Sequence, residues 1–214
     1  MKPIVCFIDD SDFEHDLVRN EISPSAPDME FLQAYTFDEA MAELGLEAPG
    51  LFLLDLWGED ENVVDPSLKP KKELEERIAG FPNLELVYEG LEDHDGDVTN
   101  EYLRKLFAIV DGWRTLFEDV SSRIGQNRKY GLSNLRRSRE YCSAVPAVFY
   151  TRKALITDAV AIFRAGADGL FIKPTGSNDA ETHRLTKEYA PQLIAELRRK
   201  MEPTRGASGA PRVS

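Results

Sequence analysis

Cysteine is scarce in this chain: only Cys6 and Cys142 occur in 214 residues. They lie in or beside apolar runs and form no ligand-like spacing, so buried, reduced thiols are expected rather than a metal site. Long apolar runs are also missing. None approaches the ~18–20 residues needed to span a bilayer. The N-terminus lacks a basic stretch followed by a long apolar one, so neither a signal peptide nor a membrane segment is expected, and the cytoplasm is the expected compartment. Positive charge is in deficit, with 26 Lys and Arg against 38 Asp and Glu and a net charge of −12. That balance argues against a nucleic-acid partner, since phosphate backbones are gripped by Lys and Arg. An apolar content of 42% excludes wholesale disorder.

Five short apolar runs are present: Ile4–Ile8, Met29–Ala34, Leu51–Leu54, Val145–Tyr150 and Leu170–Ile172. Apolar runs of this length suit strands buried on both faces. Helical patterns lie between them. Phe13, Leu17, Val18 and Ile22 mark one. Phe37, Ala40, Met41 and Leu44 mark a second, with Thr36 and Glu39 spaced as a capping box. Ala159, Val160, Ile162 and Phe163 mark a third, and Gly166 is placed to end it in a left-handed conformation. Strands alternating with helices predict parallel βαβ units in a doubly wound α/β sheet.

In such a sheet ligands bind beyond the carboxyl ends of the strands. The first run ends in Asp9 and Asp10, the third in Asp55, the fourth in Thr151 and the fifth in Lys173. Three carboxylates, a hydroxyl and an ammonium are thereby expected on one edge. Carboxylates this close repel one another, and a hard divalent cation with oxygen ligands, such as Mg²⁺, relieves the conflict. A metal beside a lysine suits a phosphoryl group.

The segments "FIDDSD", "LFLLDLWG", "AVFYTRKA" and "AGADGLFIKP" together resemble the receiver domains of response regulators in two-component signalling. The resemblance implies a flavodoxin-like fold with strand order 2-1-3-4-5. It implies Asp55 as phospho-acceptor, Asp10 as a direct Mg²⁺ ligand, Asp9 supporting the metal through water, and the Trp57 carbonyl as a further ligand beside Asp55. Thr151 and Lys173 would hold the phosphoryl oxygens. The Lys173–Pro174 bond would be cis. The implied role is that of a phospho-acceptor rather than an enzyme acting on a separate substrate. The partners would be a histidine kinase or phosphotransfer protein upstream and an unidentified protein downstream.

The sequence departs from that pattern in places. Leu170 stands where receivers usually carry an aromatic, and strand alternation aims Phe171 at the other face. No Met-Pro turn follows Asp55. The stretch "NRKYGLSNLRRSREYCSAVP" resembles a receiver's third helix, yet begins far beyond Asp55, so residues 59–127 form an insertion within a receiver spanning 1–190. Its first part, 59–97, carries −9 of the net charge and reads as a solvated acidic loop with one short helix around Lys71–Ala79. "EDHDGD" lacks the glycine a calcium loop requires after Asp97. The second part, Val98–Ile124, reads as a long helix. Leu103, Leu106, Val110, Trp113, Phe117, Val120 and Ile124 line a stripe widened by Tyr102, Phe107, Ile109 and Leu116. Such breadth favours burial against the rest of the chain over a homodimer through the insertion. The acidic stretch is expected to contact Arg136, Arg137 and Arg139, and the insertion to carry the phosphorylation signal. Residues 191–214 read as a helix end and flexible tail, and the 41 residues after Lys173 are expected to be too few for a DNA-binding output domain with its linker.

Two other readings compete. A haloacid-dehalogenase-like phosphohydrolase would use Asp10-Ser11-Asp12 with Thr151 and Lys173 as later motifs, but only Asp179 and Glu181 are available for its further acidic pair, and it leaves Asp55 without a role. A degenerate receiver acting as a scaffold would not need all five site residues.

Overall fold

A computed structural model describes residues 2–59, 71–80, 84–152 and 155–202. The elements are β1 (Ile4–Ile8), α1 (Asp12–Leu17), β2 (Glu30–Ala34), α2 (Phe37–Leu44), β3 (Leu51–Leu54), β4 (Gly58–Glu59), α3 (Lys71–Ala79), α4 (Leu84–Tyr88), α5 (Val98–Arg123), β5 (Gln126–Asn127), α6 (Lys129–Tyr141), β6 (Ala147–Thr151), α7 (Ile156–Arg164), β7 (Gly169–Ile172) and α8 (Asp179–Met201). The chain divides into two compact units. One comprises Met1–Glu59 with Arg128–Ser214, and the other Asp60–Asn127.

The first unit is built on a five-stranded parallel sheet in the order β2-β1-β3-β6-β7. Counted among these five strands alone, this is the flavodoxin-like order 2-1-3-4-5 expected from the sequence. The central strands are apolar up to the Thr151 that ends β6, as burial on both faces requires. Every residue of β1, β3 and β6 is buried. Alternation sorts their side chains. Val5, Phe7, Leu51, Leu53, Val148 and Tyr150 pack with Val18 and Ile22, which follow α1, and with Leu193, Ile194 and Leu197 of α8. On the opposite face Phe52 stacks on Phe37 of α2 and meets Tyr141 of α6 edge-on. Phe171 packs toward the α8 side, as alternation requires, so it does not replace an aromatic at Leu170.

Local chemistry fixes the helix ends. Thr36 accepts from the Glu39 N–H while Glu39 reaches back, completing the expected capping box. Gly166 adopts φ +91° after α7, a left-handed conformation that glycine adopts without penalty. Gly131 in α6 permits the closest approach in the unit: a Cβ there would lie 2.4 Å from the Asp55 carbonyl oxygen. Its N–H donates to the Leu56 carbonyl, so α6 seats directly on the turn after β3.

The second unit is mainly helical among its described residues, with α3, α4 and α5 followed by the short strand β5. Asp97 caps α5, accepting from the N–H groups of Thr99 and Asn100, which accounts for the acid that closes "EDHDGD". Tyr88 of α4 lies against Tyr102 of α5, and Arg77 of α3 pairs with Asp119. The expected burial of the α5 stripe is found for part of it, with Leu106, Ile109, Phe117 and Val120 half-buried. Leu103, Phe107, Val110 and Trp113 are exposed, and only Leu116 and Ser121 of the helix are buried. Periodicity identifies an apolar face but not what covers it. The three α6 arginines expected to meet the acidic stretch have acidic partners within the first unit. Arg137 pairs with Asp38, Arg139 with Asp168, and Arg136 with Glu140. The tail from residue 203 lies outside the described residues.

Candidate phosphoryl-binding site

The carboxyl ends of β1, β3, β6 and β7 deliver the site. Asp9, Asp55, Thr151 and Lys173 follow or end apolar strands, and all four are buried. Lys173 lies between the acids: its Nζ donates to Asp9 Oδ2 at 2.5 Å and to Asp55 Oδ1 at 2.9 Å. The other oxygens accept from backbone amides, Asp9 Oδ1 from Ser11 N–H at 3.0 Å and Asp55 Oδ2 from Trp57 N–H at 3.0 Å. Asp10 is half-buried, and its Oδ2 accepts from Glu59 N–H at 2.8 Å. The Thr151 hydroxyl is buried with no hydrogen-bond partner among the described residues. A buried hydroxyl without an acceptor is costly, and its presence marks a place where a ligand oxygen would fit.

Burial pushes the Asp9 carboxyl up to about 7; Lys173 opposes that rise and the Asp55 charge adds to it. Burial alone would lower the Lys173 ammonium, but the carboxylates of Asp55, Asp9 and Glu14 raise it above its ordinary value. Lys173 is therefore charged throughout the physiological range.

Three residues at the site escaped the sequence reading. Glu14 of α1 is buried, pairs with Arg152 at 2.5 Å and lies 3.5 Å from Lys173. His15 is buried beside it, its ring nitrogens facing the Asp9 carbonyl at 2.8 Å and Gln33 Oε1 at 3.0 Å. Tyr130 packs its ring against Gly58 and donates its hydroxyl to the Tyr35 carbonyl. Burial, with the charges of Asp10, Asp9 and Asp55 beside it, raises the Tyr130 phenol. The signal for Glu14 and His15 was faint: charged and polar side chains at helical positions facing a sheet read as solvent-exposed unless their distant partners are known.

The Lys173–Pro174 bond is trans, since no cis peptide occurs among the described residues. The expected cis form is thus absent; trans is the lower-energy isomer by ~0.5–1 kcal/mol for X–Pro bonds, and here the Pro174 carbonyl accepts from Arg152.

The donors available to a metal are the oxygens of Asp9, Asp10 and Asp55 and the Trp57 carbonyl, which by type fit a hard divalent cation. Among the described residues no three His, Cys, Asp or Glu side chains form a ready-made metal cluster. Lys173 instead supplies the positive charge between Asp9 and Asp55. No described helix is long and apolar enough to cross a membrane.

No family model matches the chain, and comparison with curated protein sequences finds no match. Solved structures do match. The response regulator domain of Thermotoga maritima CheB is 17% identical, with 95% of this chain and 98% of that one covered and a TM-score of 0.46. The non-phosphorylated HemR receiver domain of Leptospira biflexa is 14% identical over 96% and 98% of the two chains, with a TM-score of 0.47. The phosphorylated cyanobacterial phytochrome response regulator RcpA is 13% identical over 92% and 96%, again with a TM-score of 0.47. These solved structures, to which the chain is similar, are response regulators or response-regulator receiver domains.

Proposed function

We propose that this protein is a response regulator whose Asp55 accepts a phosphoryl group from a histidine kinase or phosphotransfer protein in the cytoplasm. The observation that carries this reading is one constellation: Lys173 bonded to both Asp55 and Asp9, beside a buried Thr151 hydroxyl that lacks an acceptor. An Asp55 carboxylate oxygen attacks the donor phosphorus. The bond from phosphorus to the donor's nitrogen or acyl oxygen breaks, and its electron pair leaves with the donor. Lys173, protonated throughout, meets the charge on the transferred oxygens, and the Thr151 hydroxyl donates to one of them. Asp10 directly, Asp9 through water and the Trp57 carbonyl with Asp55 would hold Mg²⁺. When bound, that ion would supply further positive charge to the phosphoryl oxygens.

Output through protein contacts is supported by an exposed apolar stripe on α7. Ile156, Val160 and Phe163 stand at i, i+4 and i+7, and Ile172 of β7 is exposed as well. Self-association through the exposed face of α5 belongs to the same proposal.

Acetyl phosphate with Mg²⁺ should add one phosphoryl group to the protein, and Asp55→Ala should abolish the addition. A label on Asp10 would instead favour a phosphohydrolase. The absence of any label, with candidate kinases included as donors, would favour a scaffold.

A further inference from the structure

The phospho-acceptor reading leaves Glu14 unexplained. Burying a carboxylate is costly unless it is paired, and Glu14 divides its two oxygens between two cations. Oε1 accepts from Arg152 Nη2 at 2.5 Å and Nε at 2.9 Å, while Oε2 lies 3.5 Å from Lys173 Nζ. Arg152 directly follows Thr151, whose hydroxyl lacks an acceptor. Its Nη1 donates to the Pro174 carbonyl at 3.0 Å and to Thr175 Oγ1 at 3.1 Å, and its guanidinium lies 5.7 Å from the Phe13 ring centroid. One guanidinium therefore ties α1 to the turn between β7 and α8. Two cations share one protein carboxylate within a single ammonium's reach of Asp55. A phosphoryl group offers the same pattern, with anionic oxygens on one central atom, and a guanidinium fork suits it well.

We propose that Glu14 is a placeholder anion and Arg152 a second phosphoryl-binding cation. In the resting protein the Glu14 carboxylate occupies Lys173 and Arg152 as two phosphoryl oxygens occupy them once Asp55 is phosphorylated. The inference rests on the phospho-acceptor reading and adds a route out of the site. When Arg152 turns to the phosphoryl group it gives up Pro174 and Thr175, and the β7–α8 turn is released. That route needs no aromatic side chain at Leu170.

The test uses the full chain as wild type, Glu14→Gln, Arg152→Gln and the double variant. Phosphorylation by acetyl phosphate is followed with time, and amide spectra are recorded with and without beryllofluoride, whose bound fluorine resonances report occupancy. Glu14→Gln should phosphorylate about tenfold faster at sub-saturating acetyl phosphate, the order expected when one nearby like charge is removed. Arg152→Gln should be slower than wild type, and the double variant should lose most of the Glu14→Gln gain. Beryllofluoride should shift the Thr175, Gly176 and Ser177 amides in wild type but not in Arg152→Gln. Unchanged or slower phosphorylation of a folded Glu14→Gln protein overturns the proposal. Should Glu14→Gln not fold, an Arg152→Gln protein with wild-type rate and wild-type amide shifts overturns it equally. If wild type takes no phosphoryl group on Asp55, the phospho-acceptor reading falls and this inference with it. If wild type is labelled while the variants behave alike, only the placeholder is wrong.

Discussion

Lys173 is the cation on which the buried acids of the site depend. Its replacement by methionine leaves Asp9 and Asp55 buried without their partner, a change that typically costs about 3–5 kcal/mol. Urea unfolding of Lys173→Met should show a loss of that order at neutral pH, shrinking as the pH is lowered and Asp9, whose carboxyl is raised by burial, takes up its proton. Asp9 gives a second prediction with a definite sign. Its carboxyl is raised from 3.8 to about 7 in the folded protein. Between those values the folded state binds more protons than the unfolded one, so Asp9 makes stability fall as pH rises through that window. Asp9→Asn should remove this slope, seen as converging wild-type and variant unfolding midpoints at the acidic end. The residues involved were legible to different degrees. Asp9, Asp55, Thr151 and Lys173 could be read because each follows or ends an apolar run in a parallel sheet. Glu14 could not, because its meaning lies in Arg152, 138 positions away.

The helix α6 begins where β3 has ended in space, although the insertion separates them in sequence. Gly131 makes the join, packing against the Asp55 and Leu56 backbone. Gly131→Ala should destabilise the protein by about 1–3 kcal/mol, the usual range for overpacking. Because the displaced backbone belongs to Asp55, the phosphorylation rate should fall further than the loss of stability explains. Denaturant melts set beside acetyl phosphate labelling would separate the two effects. Element boundaries within the first unit were largely visible in the sequence, since buried strands and capped helices carry local signals. The environment of α5 was not. Its 3-4 spacing predicts a helix with an apolar face equally well whether that face meets a core or solvent.

The molecule exposes Leu103, Phe107, Val110 and Trp113 along one helix. If two copies meet through that face, Phe107→Ser should lower the sedimentation coefficient of the wild-type protein without changing its melting temperature. Equal sedimentation of the two proteins would remove self-association through α5. The placement of the insertion also bears on how the chain is made. Within the sheet β3 pairs with β1 on one side and β6 on the other, and β6 begins at Ala147. At a synthesis rate of about 5–20 residues per second, β3 waits on the order of ten seconds at the ribosome before its second neighbour is made. Throughout that interval the nascent half-sheet carries an unpaired, wholly apolar edge, a template for wrong pairing between neighbouring polysomal chains. Slowing elongation across the insertion would lengthen that hazard, and chaperone dependence during synthesis should scale with the delay rather than with the stability of the finished protein.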